Sequence, residues 1–187
     1  MTWEIETDVV YKPWRFIGVG AGFFFTPPID GNKTYSGEAR DKNLRWQIEE
    51  NRLMYLFAFR SGVYLYSPPV YLNHDHDVAL SFRVSPGVTI PLPPNLSTSV
   101  DYVPKDAIIH VPATSGEVSN SHAKACYYHV KFAMALEVER VSVLLGYTTS
   151  DYDLYGGSRN MIVEGQKIEL PRKKQAGTFF IGLTYDF

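Results

Sequence analysis

Residues 126–147 read CYYHVKFAMALEVERVSVLLGY, and this stretch decides the fold class. Apolar side chains occupy every second position from Cys126 to Val138, and the positions between them are mostly small or charged. Glu139 and Arg140 interrupt the pattern, which then resumes and runs to Tyr147. A period of two is that of a β-strand with one apolar face, so the stretch predicts two strands joined by a tight turn.

The same period recurs along most of the chain, and helical spacing is almost absent. The further alternating segments are residues 3–11, 14–25, 53–66, 78–90 and 179–187. Their connections alternate in length. Residues 12–13, 67–77 and 139–140 are the shorter links, and 26–51, 93–124 and 150–176 are long and polar. Short turns on one rim and long loops on the other are typical of outer-membrane barrels, and they place the C-terminus at the short-turn rim and the N-terminus at the long-loop rim.

The expected fold is therefore all-β: an antiparallel up-and-down transmembrane β-barrel of about eight strands, forming a single domain over residues 1–187. Seven strands are clear, whereas bacterial single-chain barrels use even numbers. We therefore expect another strand upstream of Met1, or within residues 44–50 or 161–170. The alternating Leu44, Trp46 and Ile48 are interpreted as an extension of the next strand above the membrane.

The face opposite the apolar one indicates which side of the barrel meets lipid. It is rich in small residues, which weaken a water-facing strand but suit the crowded interior of a small barrel. These residues are Gly18, Gly20, Gly22, Ala79, Ser81, Ser85, Gly87, Ala133, Ala135, Gly146 and Gly182. Alternation alone also allows the reverse arrangement, in which the apolar face points inward as in a soluble barrel.

The same face carries charges of both signs. The candidates for ion pairs in the lumen are Glu4, Glu6, Asp8, Arg60, Arg83, His129, Lys131 and Glu137. Buried charges have to pair, so we expect an internal network and no open channel. The alternative is that they are ordinary solvent-facing charges on a soluble sheet.

Composition excludes several other classes of protein. The net charge of -2 and pI of about 6.2 do not suggest nucleic-acid binding. A single cysteine, Cys126, allows neither an internal disulfide nor a cysteine-based zinc site. No apolar run approaches the roughly 20 residues of a membrane-spanning helix. The aromatic share of 14% favours strands and interfacial girdles. The girdle candidates are Trp3, Tyr11, Trp14, Tyr55, Tyr64, Tyr66, Tyr147 and Tyr185.

Short motifs add little chemistry. His74-Asp75-His76-Asp77 has metal-ligand character but is better explained as a polar turn. Ser121-His122 and the pair Asp151 and Asp153 lack the partners of a catalytic triad. Arg172, Lys173 and Lys174 could meet lipid phosphates, although a solvated loop is the commoner explanation. We expect no catalytic residue, no cofactor and no metal.

The end of the chain carries the most specific signal. Phe179, Ile181, Leu183, Tyr185 and Phe187 alternate without a break and finish on an aromatic residue. This resembles the C-terminal strand that outer-membrane proteins present to the barrel-assembly machinery. The stretch TWEIETDVVYKPWRFIGVGAG, residues 2–22, also resembles the early hairpin of small outer-membrane β-barrel proteins of Bacteroidota. Members of that family usually carry one more strand before this hairpin, and this chain departs from them there.

The resemblance implies insertion by the barrel-assembly machinery and contact with outer-membrane lipid and lipopolysaccharide. The leading functional expectation is a non-enzymatic barrel of the cell outer membrane, with long extracellular loops and a structural, adhesive or binding role. A soluble or periplasmic calycin-like barrel that binds a small apolar ligand is the first alternative. A lipid-modifying barrel enzyme is the second.

Overall fold

The computed structural model describes residues 2–27, 33–93, 96–106, 111–120, 123–171 and 177–187. These residues form an all-β structure with one short 3-10 helix, Glu50–Leu53. Within them, no helix combines the length and the apolar character needed to cross a membrane. The strands, in chain order, are β1 (Thr2–Trp14), β2 (Ile17–Phe25), β3 (Thr34–Glu38), β4 (Leu44–Glu49), β5 (Phe57–Tyr66), β6 (Val70–Tyr71), β7 (Val78–Leu92), β8 (Ser97–Pro104), β9 (Thr114–Ser119), β10 (Tyr127–Val138), β11 (Val141–Ser150), β12 (Ile162–Val163), β13 (Gln166–Lys167) and β14 (Thr178–Asp186).

Seven of these strands close into a barrel. Around the cylinder the order is β1, β2, β5, β7, β10, β11 and β14, and β14 pairs with β1 to complete the ring. The short strand β6 lies beside β7 within the connection that leads into it. The all-β barrel predicted from the sequence is therefore confirmed.

The prediction of about eight purely antiparallel strands differs from this arrangement. Neighbouring strands of a meander alternate in direction, so an odd number leaves the first and last strands running the same way. Accordingly β1 and β14 pair in parallel, from Thr2 opposite Thr178 to Val10 opposite Asp186, while the other neighbours are antiparallel. The barrel closes at this parallel seam without an eighth strand.

The long connections also hold more structure than their composition suggested. Strands β3, β4, β8 and β9 form a separate four-stranded antiparallel sheet, and β12 and β13 form a small hairpin. Leu44–Glu49 belongs to this second sheet and does not extend β5, because the 3-10 helix Glu50–Leu53 lies between them. We call this sheet, the 3-10 helix and the segment 151–171 the cap.

The two faces of the barrel wall differ sharply in chemistry. Phe57, Phe82 and Phe132 are 53%, 62% and 50% exposed on the outside of the cylinder. Ser81 and Lys131 are each 2% exposed and face the lumen. Bulky apolar side chains thus cover the outer wall, whereas the interior holds small and ionic side chains together with several aromatic rings.

Candidate functional site: the lumen and the capped mouth

The upper half of the lumen, nearer the long loops, contains three carboxylates and two cations. Arg60 on β5 places Nη1 2.7 Å from Glu4 Oε2 and 3.1 Å from Glu6 Oε2. Lys131 on β10 places Nζ 2.8 Å from both Glu6 Oε1 and Asp8 Oδ2. All five side chains are almost fully buried. Each cation therefore bridges two carboxylates of β1.

These ion pairs cross the barrel. Strands β1 and β10 lie on opposite walls, separated by β14 and β11 on one side and by β2, β5 and β7 on the other. The contacts of Lys131 with Glu6 and Asp8 therefore span the lumen. Since β1 is one of the two seam strands, this charge pairing connects the seam to the far wall.

Aromatic side chains complete the surroundings of the cations. The guanidinium carbon of Arg60 lies 3.7 Å from the ring centroid of Phe24. The Lys131 ammonium lies 5.3 Å from the rings of Tyr64 and Phe180. Tyr64 also donates a hydrogen bond of 2.7 Å to Asp8 Oδ2. Cation–π contacts of this kind are strongest where water is excluded.

A second network fills the lower half of the lumen. Arg83 Nη2 lies 3.0 Å from Glu137 Oε1 and 3.4 Å from Asp186 Oδ2, and it also donates to the Ser142 hydroxyl. Arg83 is on β7 and Asp186 is on β14, so this group too connects a seam strand to a distant wall. Asp186 was not among the candidates, although it alternates with Tyr185 and Phe187 and the period of two points it inward.

Among the basic candidates for ion pairs, His129 is the one whose described partner is a hydroxyl and not a carboxylate. Its Nδ1 lies 2.9 Å from the hydroxyl of Thr89, which also accepts a hydrogen bond of 3.4 Å from Arg60 Nε. No ion pair joins His129 to an acid among the described residues. The imidazole borders the network through a hydroxyl.

An aromatic layer closes the mouth above the upper charges. It is built from Phe24, Tyr55, Ala58, Leu96, Tyr127 and Tyr152. Tyr152 comes from the cap, and its ring centroid lies 5.1 Å from that of Tyr127 and 5.7 Å from that of Phe24. Burial raises the pKa of Tyr55 to about 12. The lumen is therefore covered by aromatic rings, in edge-to-face contact with Tyr152, at the level where the cap begins.

The cap has its own apolar core. Its buried members are Trp46, Ile48, Leu53, Met54, Val100, Tyr155, Met161, Val163 and Ile168. Tyr155 donates to the buried carboxylate of Glu50 with a 2.5 Å O–O distance, and burial followed by this hydrogen bond raises its pKa. Asn120 donates from Nδ2 to the carbonyls of Gly157 and Arg159 at 3.0 and 2.7 Å. The cap is a folded unit over the barrel mouth. The long loops that form it were described from the sequence only as polar connections.

Asp151 and Asp153, considered above as catalytic candidates, are both held by cations. Lys124 donates to Asp151 Oδ2 at 2.6 Å, and the Tyr128 amide donates to Oδ1 at 2.7 Å. Burial raises the pKa of Asp151, but these hydrogen bonds outweigh it and the net direction is down. Asp153 is held by the Arg159 guanidinium. The four side chains border a polar cavity of about 320 Å³ at the junction of cap and barrel.

The outer wall carries aromatic side chains near both ends of the strands. At the long-loop end the Phe179 ring centroid lies 5.7 Å from Trp3 and 5.3 Å from Tyr147. At the short-turn end Phe187 lies 5.9 Å from Tyr11 and 6.4 Å from Tyr185. Three girdle candidates were placed wrongly, because their side chains are buried in the lumen or mouth. They are Tyr55, Tyr64 and Tyr66.

The proposed assembly-signal residues lie on β14 and just beyond it. Ile181, Leu183 and Tyr185 are exposed on the outer wall, where Phe179 also takes part in the aromatic contacts described above. The backbone of Phe187 bonds to β1, its N–H to the Val10 carbonyl at 3.0 Å and its carbonyl to the Lys12 N–H at 3.2 Å. The last residue of the chain therefore contributes to the seam.

The remaining sequence motifs show no further chemistry. His76 stacks on Tyr71 with ring centroids 4.4 Å apart, in the turn that follows β6. In the part of the chain that the structure describes, no group of three or more His, Cys, Asp or Glu side chains could hold a metal ion. Ser121, His122 and the basic run Arg172, Lys173 and Lys174 lie outside the described residues.

Comparison of the chain with protein-family models, curated proteins and solved structures gave no match.

Proposed function

We propose that this protein is a non-enzymatic barrel of the bacterial outer membrane that anchors its cap at the cell surface. The observation that carries the proposal is the inverted distribution of side chains, with large apolar residues exposed on the outer wall and ion pairs inside. Monomeric soluble proteins rarely expose contiguous apolar surface on this scale, and an extensive patch indicates a membrane or a partner.

The dimensions of the barrel support the proposal. Its strands contain 9 to 15 residues, and a tilted strand crosses the hydrocarbon layer with roughly 9–11. On β1, Tyr11 and Trp14 follow Trp3 by eight and eleven residues. At ~3.3 Å per residue and a tilt of ~40°, those spacings are about 20 and 28 Å along the axis. Two girdles flanking an apolar band of ~25 Å require this separation.

The filled lumen supports an anchor in preference to a pore. Buried ion pairs occupy both halves of the interior, and the aromatic layer lies over them. The cap stands at the long-loop rim, which faces outward in barrels of this layout. Display of the cap, for adhesion or binding, is therefore the role we assign to this protein.

The two alternatives fit the described residues less well. A calycin-like carrier needs an apolar interior for its ligand, whereas the inward side chains here include Glu4, Arg60 and Lys131. A lipid-modifying enzyme needs a nucleophile next to a free base, whereas Asp151 and Asp153 are each paired with a cation.

The membrane assignment is tested by fractionation and by a substitution on the outer wall. The protein should require detergent for extraction and should migrate differently on a gel before and after heating. Met134 is 42% exposed near the middle of β10, and Met134→Arg should cost about 2–4 kcal/mol of unfolding free energy in lipid.

Met134→Leu is the matched control, because it keeps an apolar side chain of similar volume, and it should cost less than about 1.5 kcal/mol. A monomer that dissolves in plain buffer and accepts Met134→Arg as an ordinary surface change would refute the proposal.

A further inference from the structure

A polar groove lies where the cap joins the barrel. Arg159 and Asn160 line the cavity of about 320 Å³ described above, and they also line a second cavity of about 540 Å³. The second cavity is bordered by Lys167 and Glu169 as well. Sites for small molecules have volumes of roughly 300–1,000 Å³. The two adjoining cavities thus form an elongated groove of that size, with Arg159 and Asn160 between them.

Positive and negative charges balance along this groove. The cations of the first cavity are Lys124 and Arg159. Its carboxylates are Asp151 and Asp153. The second cavity adds one further residue of each sign. A ligand with a net charge would meet repulsion as well as attraction here, so the lining favours a neutral, polar ligand.

Backbone donors hold both carboxylates in place. The Tyr128 N–H donates to Asp151 Oδ1 at 2.7 Å. The Tyr155 N–H donates to Asp153 Oδ1 at 3.1 Å. Each carboxylate also contacts a cation, so its orientation is set before a ligand arrives. Groups fixed in this way lose little conformational entropy on binding.

The same groups keep hydrogen-bonding capacity that the described residues do not use. Arg159 donates from Nε and Nη2 to Asp153 and from Nη2 to the Pro171 carbonyl, the latter at 2.9 Å. Both N–H groups of its Nη1 have no partner among the described residues. An ionised carboxylate has about four lone pairs, and the bonds from Lys124 and the Tyr128 amide occupy two of those of Asp151. The groove therefore offers fixed donors and fixed acceptors side by side.

A buried tyrosine hydroxyl completes the wall of the first cavity. Tyr127 is 2% exposed, and a Cβ on Gly156 would lie 2.0 Å from its hydroxyl oxygen. Both residues line the cavity. The absence of a side chain at Gly156 thus lets the hydroxyl reach the wall.

We infer that this groove binds a neutral oligosaccharide at the cell surface. A sugar hydroxyl both donates and accepts, so it matches neighbouring carboxylate acceptors and guanidinium donors without adding a charge. The elongated shape suits several linked sugar units. The inference rests on the proposed display of the cap and names the class of molecule that the cap binds.

A peptide fits the lining less well. Peptides are recognised through pockets for their side chains or through an unpaired strand edge. Among the described residues no aliphatic side chain lines the first cavity. Peptide binding is therefore kept as an outcome that the experiment can reveal.

The purified protein is titrated with fluorescently labelled probes in micelles of a detergent that has no sugar headgroup. The probes are short neutral oligosaccharides of glucose, mannose or galactose, acidic oligosaccharides of the same length that contain uronic acid, and a mixture of short peptides. Polysaccharide purified from the source bacterium is compared with polysaccharides from plant and animal tissue. This comparison distinguishes a partner on the same cell from one in the surroundings.

Two variants test the donors and the acceptors separately. Arg159→Lys keeps a positive charge beside Asp153 but removes the Nη1 donors, and Asp151→Asn removes a carboxylate. Each should weaken binding of the neutral probe roughly tenfold, as expected for a lost hydrogen bond to a charged group. Fluorescence of Trp46, which is buried in the cap core, checks that the cap of each variant is folded.

The matched controls come from another ion pair of the cap. Arg52 and Asp101 are 2.9 Å apart and line neither cavity. Arg52→Lys and Asp101→Asn should therefore bind the neutral probe as the wild-type protein does.

The wild-type protein should bind a neutral probe severalfold more tightly than the acidic ones. Absence of neutral binding, equal binding of neutral and acidic probes, binding of peptides alone, or equal losses in groove variants and controls would overturn the inference. Failure of the membrane proposal is a different result, because the protein would then be recovered without detergent and its sugar binding would be measured in plain buffer.

Discussion

Lys131 reaches across the lumen from β10 to two carboxylates of β1, and it is 2% exposed. Taking charges out of water is costly, and only the mutual pairing of these groups offsets that cost. Replacing one of these charged side chains therefore changes the free energy of unfolding mainly through the buried charges that are left unpaired, and less through the lost bond itself.

We predict that Lys131→Met destabilises the barrel by about 3–5 kcal/mol, because Glu6 and Asp8 then share a buried site with Arg60 as the remaining nearby cation. Urea unfolding in detergent micelles measures the loss. Lys105→Met is the control, since Lys105 lies at the surface with a 3.7 Å contact to Glu38, and it should change stability by no more than about 0.5 kcal/mol.

Addition of Glu6→Gln and Asp8→Asn should restore part of the loss. An unchanged Lys131→Met variant would contradict the network.

Gly22 is required by the close approach of β1. A Cβ placed there would lie 2.0 Å from the Thr7 carbonyl oxygen and 2.2 Å from Asp8 Oδ1. Gly22→Ala should therefore cost about 1–3 kcal/mol through displaced backbone. Gly116→Ala in the cap is the control, because its nearest neighbour is the Tyr102 ring at 3.3 Å. Both are compared by thermal unfolding, and equal effects of the two would argue against the register of β1 and β2.

At the scale of elements, the seam between β1 and β14 is the feature that closes the barrel. Parallel pairs are slightly less stable per residue than antiparallel ones. Charge contacts from β5, β7 and β10 reach the two seam strands across the lumen. The interior network therefore connects both seam strands to other walls of the barrel.

We predict that Phe187→Ala lowers the amount of folded protein in cells severalfold, because the terminal aromatic is proposed to be read during assembly. Its effect on the stability of refolded protein should be small, since the backbone bonds to Val10 and Lys12 do not need the ring. Membrane yield and micelle unfolding are measured on the same variant. Tyr11→Ala, which removes the ring beside Phe187, is the control, and an equal loss of yield would mean that only packing is involved.

The cap and the aromatic layer that it packs on through Tyr55 should lose stability at alkaline pH. A tyrosine whose pKa is higher in the folded protein than in the unfolded chain stabilises the fold while it is neutral. Its contribution to the free energy of unfolding is therefore complete below pH ~10 and is lost as the pH rises through the pKa of the folded state. Tyr55 has a folded-state pKa of about 12, so the loss of stability should occur between pH ~10 and pH ~12. Trp46 is buried in the cap core, so its fluorescence in a Trp3→Phe, Trp14→Phe background reports cap unfolding. Tyr55→Phe should weaken the pH dependence, and an unaltered profile would exclude this tyrosine as its source.

At the scale of the whole molecule, the barrel carries charged groups inside and aromatic rings across its mouth. Barrels of about eight strands have interiors that side chains fill, whereas the much larger porins leave a channel. Seven strands enclose less space still. The cap, with its own core, then covers the long-loop end.

We predict that the purified protein gives no conductance steps in planar bilayers, because ion pairs occupy the lumen and an aromatic layer lies across its mouth. A sixteen-stranded porin inserted under the same conditions is the positive control. Regular steps from the wild-type barrel would contradict a filled lumen.

The sequence alone determined the local features of this protein. The period of two predicted the barrel strands to within a few residues, and residues 53–56, predicted as part of a strand, lie before β5. It also predicted the faces that the side chains of each strand share, since the pleat sends successive residues to opposite sides. That is why Phe132 and Lys131 could be assigned to different faces from their positions alone. The small residues of the second face then indicated which one is inside.

Only the tertiary structure decided how the strands close, which charges meet and what the long loops form. Lys131 and Glu6 are 125 residues apart, and β4 pairs with β8 through Leu44 and Pro104. Such contacts depend on barrel closure and strand register, on which a short window of sequence carries no information. The sequence already indicated seven strands, but the expectation of an eighth was wrong, and only the structure shows that the seven close directly on one another through a parallel seam.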